Sequence, residues 1–291
     1  MEKMPLKGNA ISNCYLFCTP NPDYIRHASP ELEKLSKFHP VLGTQQKADV
    51  EQQALVHLLE NQKNGHEHCE ALAQKLKGCR NEAPCKSLAC PHCRRERALS
   101  LLSAWQPLLA ASVGYVGVTL CFNLEKQSRL PWKHADKAND DIRIFKQRIS
   151  RVLKRRGCAG PAIGTFSLVR HLLEEHEEEF IWIPQLCLLL PNDSSLIKEL
   201  QYHMSRGGGA YIDSFIINAP FAKLRCKDPA KVLSYALDPM WHSVKSSLTD
   251  GNELHKSSID TLKGKTLTKS LLTLDTLGTN ALSFIYGDQP K

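Results

Sequence analysis

Residues 179–191 read EFIWIPQLCLLLP, an apolar run with the length of a buried strand. Alternation places Ile183, Gln185 and Cys187 on one face and Trp182, Pro184 and Leu186 on the other. A buried strand is best served by Val and Ile, so a proline, a glutamine and a cysteine inside it need a reason. The flanking sequence sets the frame. Upstream, AIGTFSLVRHLL (162–173) reads as a strand, with HEEEF (176–180) as the turn between the two. Downstream, SSLIKELQYHMSR (194–206) reads as a helix and GAYIDSFIINAP (209–220) as a strand. DPAKVLSYALDPMW (228–241) is a short helix opened by Asp228-Pro229 and stopped by Pro239.

Further upstream, GYVGVTLCFNL (114–124) has the Val, Thr and aromatic content of a strand. DDIRIFKQRISRVLKRRG (140–157) is an amphipathic helix with Ile142, Phe145, Ile149, Val152 and Leu153 facing inward. Two aspartates open it and Lys-Arg-Arg-Gly closes it, as the helix dipole favours. Residues 1–45 are irregular and punctuated by prolines, an arm ahead of the fold. Residues 46–110 form a helical, cysteine-rich segment: helical from about Ala48 to Leu76, with a glycine stop at Gly78, and helical again from Arg94. Residues 111–245 alternate strand and helix, and 246–291 read as a partly helical tail rich in Ser, Thr, Lys and Gly. The expected class is α+β: a central antiparallel sheet with helices on one side, preceded by the helical segment.

The 291 residues can bury a substantial core, and a net charge of +8 favours an anionic partner, nucleic acid first. No apolar run is long enough to span a bilayer and the N-terminus lacks a secretion signal's apolar core, so the expected location is the cytoplasm. Eleven cysteines in such a chain point to thiols, some on metal, rather than to a disulfide scaffold. CRNEAPCKSLACPHCRRER (79–97) concentrates Cys79, Cys85, Cys90 and Cys93. Its Cys-Pro-His-Cys can bite one zinc through a tight turn, with Cys79 and Cys85 completing a closed structural tetrahedron. Unpaired thiols are the alternative, and Cys69, His66 and His68 compete for a ligand place. No thioredoxin-like pattern frames a redox Cys-x-x-Cys. Arg94, Arg95 and Arg97 follow the knuckle, positioned either to meet phosphate or to begin a solvated helix. Arg148, Arg151, Lys154, Arg155 and Arg156 spread over the polar face of the 140–157 helix, a phosphate track or an ordinary solvated face. The Gly loop with Arg206 lacks the strand-to-helix context of a nucleotide-binding loop.

The order of these features resembles the zinc-containing rolling-circle replication initiators of small bacterial plasmids, in the HUH endonuclease group. The resemblance spans residues 69–245 and rests on the Cys-x4-Cys-Pro-x-Cys knuckle, a Val-Thr-Leu strand (118–120), a basic helix, a Trp-x-Pro-x-Leu-x strand and a tyrosine helix. It implies that the Thr-Leu strand and the Trp-x-Pro strand lie side by side. It also implies that Ile183, Gln185 and Cys187 occupy positions where that family holds a divalent metal on histidines. All three histidines are replaced: isoleucine cannot ligate, glutamine is a weak neutral ligand, and thiolate prefers soft metals to Mg²⁺ or Mn²⁺. His171, Glu174 or His176 could help a residual metal set, or Gln185 and Cys187 are simply buried. Tyr235 falls at the family's nucleophile position, and Asp238 where a lysine is expected. The implied function is DNA binding at a replication origin of a plasmid or mobile element, with nicking lost or altered and host replication proteins as further partners. The alternatives are an active endonuclease using Tyr235 with Mg²⁺ or Mn²⁺, and a zinc-stabilised interaction module that does not bind DNA.

Overall fold

A computed structural model describes residues 43–62, 66–111, 114–122, 135–173, 176–206, 221–224, 229–248 and 254–287. The arm at 1–42, Glu174 and the strand expected at 209–220 lie outside these residues. Among the described residues three helices come first: α1 (Gln45–Glu60), α2 (His66–Lys77) and α3 (Pro91–Ala111). There follow β1 (Tyr115–Cys121), α4 (Ala135–Arg155), β2 (Ala162–Leu173), β3 (His176–Pro191), α5 (Ser194–Arg206) and β4 (Phe221–Lys223). The last elements are α6 (Pro229–Ala236), β5 (His242–Leu248), β6 (Leu254–Thr261), α7 (Gly264–Leu282) and β7 (Ser283–Tyr286).

The strands form one seven-stranded sheet in the order β4-β1-β3-β2-β5-β6, with β7 also on β2. The sheet is mixed, which corrects the antiparallel expectation: β2 pairs β5 in parallel from Val169 to Leu173. Between those strands the chain runs out through β3, α5, β4 and α6 before returning, so β5 arrives in the direction of β2. Helices cover both faces rather than one. On one face Val116, Val118 and Leu120 of β1, Phe122 just after it, and Trp182, Leu186, Leu188 and Leu190 of β3 pack on α4 and α5. Phe122, Phe145 and Phe166 meet there, with Phe122 and Phe145 stacked at 4.2 Å. On the other face Ile163 and Leu189 meet Ala98, Leu102 and Trp105 of α3 and Val232 and Leu233 of α6. β3 is apolar on both sides over Leu186–Leu190, and a strand of that kind requires two covers.

Two further expectations change. HEEEF is strand, not turn, because β3 begins at His176 and pairs back along β2, with Leu172 opposite Phe180. Arg170 lies over the Phe180 ring at 4.0 Å and holds that end. The segment after 246 is part of the core. β7 pairs β2 beside β5, while α7 buries Leu274, Leu277 and Leu282 in the main core and Leu271 in the α1–α2 cluster.

Gly164 of β2 has no room for a side chain against β3. A Cβ there would lie 2.2 Å from the Cys187 carbonyl oxygen, a backbone atom that cannot turn away. Gly164→Ala is therefore expected to lower stability by about 1–3 kcal/mol, the range for overpacked cores. Urea unfolding would read it; an unchanged midpoint would mean the strands can part at no cost.

Candidate functional site

The cysteine quartet is assembled by three pieces of chain. Cys79 follows the end of α2, Cys85 sits in the connecting loop, and Cys90 and Cys93 bracket the first turn of α3. The ligand atoms of the four lie within 4.8 Å of one another. Sulfur–sulfur distances are 3.5 Å for Cys79–Cys93, 3.6 Å for Cys79–Cys90 and 3.7 Å for Cys85–Cys93. A zinc–sulfur bond of about 2.3 Å gives a tetrahedron with edges of about 3.8 Å, so the quartet has the size of a four-thiolate metal site. The quartet could hold a metal such as zinc. Cys69 is buried in the neighbouring apolar cluster and stands outside the quartet.

Its electrostatics favour a cation. Hydrogen bonds from Cys85, Cys90 and Cys93 hold the Cys79 thiol well below the usual range, and Cys79 in turn pushes Cys85 and Cys90 up. Four sulfurs this close ionise together only around a positive charge. The α3 N-terminus adds its dipole beneath Cys90 and Cys93, and the Cys85 N–H points at Cys79 Sγ, 3.4 Å away.

Polar residues of α1 lock the knuckle in place. Gln52 donates to the Leu76 carbonyl at 2.8 Å, and its Oε1 lies 3.4 Å from Cys90 Sγ. His92 is buried, with Nδ1 2.8 Å from Gln45 Nε2 and Nε2 3.2 Å from Asp49 Oδ1. Since the Gln45 amide donates to Nδ1, the neutral ring carries its proton on Nε2, facing Asp49. Motif spacing does not single out Asp49, Gln52 or His92. A signal for the first two exists all the same: Asp49 and Gln52 share the inward stripe of α1 with Leu55, Val56 and Leu59.

Arg94 and Arg95 belong to this bracing. Arg94 donates to the Leu88 and Ala89 carbonyls and to Glu51 at 2.6 Å; Arg95 reaches the Gly43 carbonyl and Gln45. Their guanidiniums are turned into the fold. The other basic positions differ. Arg155 and Arg156 both pair with Glu199 of α5, while Arg148, Arg151 and Lys154 have no ion-pair partner among the described residues.

Compared with family models, curated proteins and solved structures, the chain matches none of them.

The strand that opened the question lies in the middle of the sheet beside β1. Cys187 stands opposite Thr119 on one side and Thr165 on the other; Gln185 stands opposite Cys121 and Ser167. These residues face α6, because a Cβ on Gly117 of the same β1 face would strike Val232 of α6. Ile183, Gln185 and Thr165 are buried, and burial pushes the Cys187 thiol up to about 12, partly offset by a Thr119 hydrogen bond. No carboxylate or imidazole stands in either row. His171 is four residues along β2 from the Gln185 row, about 13 Å at strand rise, so it cannot complete a metal set with Cys187. The side chains of His176 and Tyr235 are outside the described set; Tyr235 is on α6. Asp238, exposed after that helix, accepts a hydrogen bond from the Met240 N–H at 2.9 Å and so serves a turn.

Proposed function

We propose that this chain is a DNA-binding protein on a replication-initiator-like frame, braced by a structural zinc and without metal-dependent nicking. One observation carries the reading. The two strands that resemble the initiators' metal motifs are adjacent and in register, yet the face they turn to α6 is neutral and largely buried. Hard divalent cations need oxygen or imidazole ligands with charge, and one glutamine amide beside a protonated thiol does not supply them. Without that metal, nothing polarises a scissile phosphate for a tyrosine hydroxyl. The zinc assignment follows from four thiolates at tetrahedral spacing, a set zinc prefers and one that leaves no open coordination position. The surplus of positive charge and the acid-free cations of α4 supply affinity for DNA.

The test joins binding and cutting in one tube. Supercoiled plasmid and single strands are incubated with the protein and Mg²⁺ or Mn²⁺, beside Tyr235→Phe. Binding without nicking, equal for both proteins, is expected. A covalent protein–DNA adduct that disappears in the variant would instead establish a working endonuclease.

A further inference from the structure

The four cysteines of the quartet are not equally accessible. Cys79 and Cys90 are buried, with 2% and 0% exposure, whereas Cys85 and Cys93 are partly exposed. The sulfurs of the two exposed residues are in contact, 3.7 Å apart. Cys85 sits in a loop without regular structure and can close that gap, while Cys93 is held in the first turn of α3. Cys79 is slightly nearer to Cys93, at 3.5 Å, but it is enclosed, and its sulfur already accepts the Cys85 N–H. Metal ligation keeps each sulfur as the thiolate, the form that acts as a nucleophile. A solvent-accessible thiolate with a resolving cysteine beside it is the arrangement of a redox sensor.

Resting on the zinc reading above, we infer that Cys85 and Cys93 form an oxidative modification site, at which hydrogen peroxide converts the pair to a disulfide and expels the zinc. First, one thiolate attacks the peroxide. A sulfur–oxygen bond forms, the oxygen–oxygen bond breaks and hydroxide leaves, giving a sulfenic acid. The other thiolate then attacks that sulfur. The sulfur–sulfur bond forms, the sulfur–oxygen bond breaks and a second hydroxide leaves. Two electrons have passed from the two sulfurs to one peroxide. Zinc is left with Cys79 and Cys90 alone, half of the set a structural site requires, and departs. The new bond closes the 85–93 loop on itself and no longer ties it to the end of α2, so the α1–α2 segment loses its tether.

The test uses the full chain purified under reducing conditions, with its zinc content measured first. Hydrogen peroxide is then added beside an untreated control, and a chromogenic chelator follows zinc release. Samples are alkylated and digested with trypsin. Cleavage after Lys77, Arg80, Lys86 and Arg94 puts Cys79, Cys85 and the Cys90–Cys93 stretch on separate peptides, so mass spectrometry identifies each linkage. Zinc release in step with peroxide consumed is expected, with residues 81–86 joined to 87–94 through Cys93. Dithiothreitol and added zinc should reverse both. A disulfide from Cys79 to Cys90 or Cys93 would overturn the inference while leaving the structural zinc in place. So would zinc lost with Cys85 and Cys93 carried on to sulfinic acid, or a metal centre that peroxide leaves intact. A chain that carries no zinc before oxidation would overturn the zinc reading itself, and this inference with it.

Discussion

With zinc on the quartet, as proposed, its removal by a chelator or by Cys90→Ser is expected to release the α1–α2 segment and the 79–93 loop while the sheet stays folded. Cys90 has no exposed surface, and its sulfur contacts both Cys79 and Gln52. The loop it closes has almost no regular structure of its own between Gly78 and Cys90. Structural zinc in small domains contributes an apparent ~10–16 kcal/mol, comparable to or above the ~5–15 kcal/mol that holds a whole domain together. The effect stays local because the sheet has its own core, in which Leu120, Phe166 and Leu186 are fully buried. The lobe packs on the rest through Leu88, which is buried in the main core, through Leu271 with Met240 and Leu267, and through the Lys75–Asp275 ion pair at 2.6 Å. Hydrogen exchange should show residues 45–93 losing protection while β1, β2 and β3 keep theirs. Metal analysis should give one zinc per chain for the wild type and for Cys187→Ser, and little for Cys90→Ser. Full protection in a metal-free protein would refute a structural metal.

The sequence made the strands with two apolar faces and the helices with one apolar stripe legible, because their patterns are local. β1 and α5 fall where alternation and helical spacing put them, β3 and α4 do so but begin earlier, at His176 and Ala135, and the quartet was visible from cysteine spacing. The missed elements have weak local signals. β5 (HSVKSSL) and β6 (LHKSSIDT) carry mostly polar residues toward the sheet's margin and so lack the apolar run that marks a central strand. β7 follows α7 without a break, and its pairing with β2 spans more than a hundred residues of chain, information no local window holds. Polarity also misled in the knuckle. Arg94 and Arg95 read as surface charge, yet interior carbonyls and Glu51 absorb them. A row of arginines announces charge; only the fold tells which of them already have an acceptor.

That distinction yields the second large effect. Converting Arg148, Arg151 and Lys154 together to glutamine should weaken DNA binding on the order of a hundredfold at low salt and flatten its salt dependence. Each phosphate contact contributes roughly 0.7 to the log–log salt slope for a single strand and 0.9 for a duplex, so losing three should reduce the slope by about 2 or about 2.7. Stability should hardly change, since none of the three has an ion-pair partner among the described residues and the buried side of α4 is carried by Ile142, Phe145, Ile149 and Val152. Arg94→Gln is the converse case. It forfeits charge-assisted bonds to two carbonyls and to Glu51, so it should lower the melting temperature and leave the slope alone. Titrations across a salt series, with melting curves on the same samples, separate these outcomes. If the triple variant keeps the wild-type slope, the α4 cations are only the solvated side of an amphipathic helix, and the protein's DNA affinity arises elsewhere or does not exist. If Arg94→Gln is the variant that flattens the slope, the knuckle opens in solution and presents to phosphate what the folded chain keeps inside.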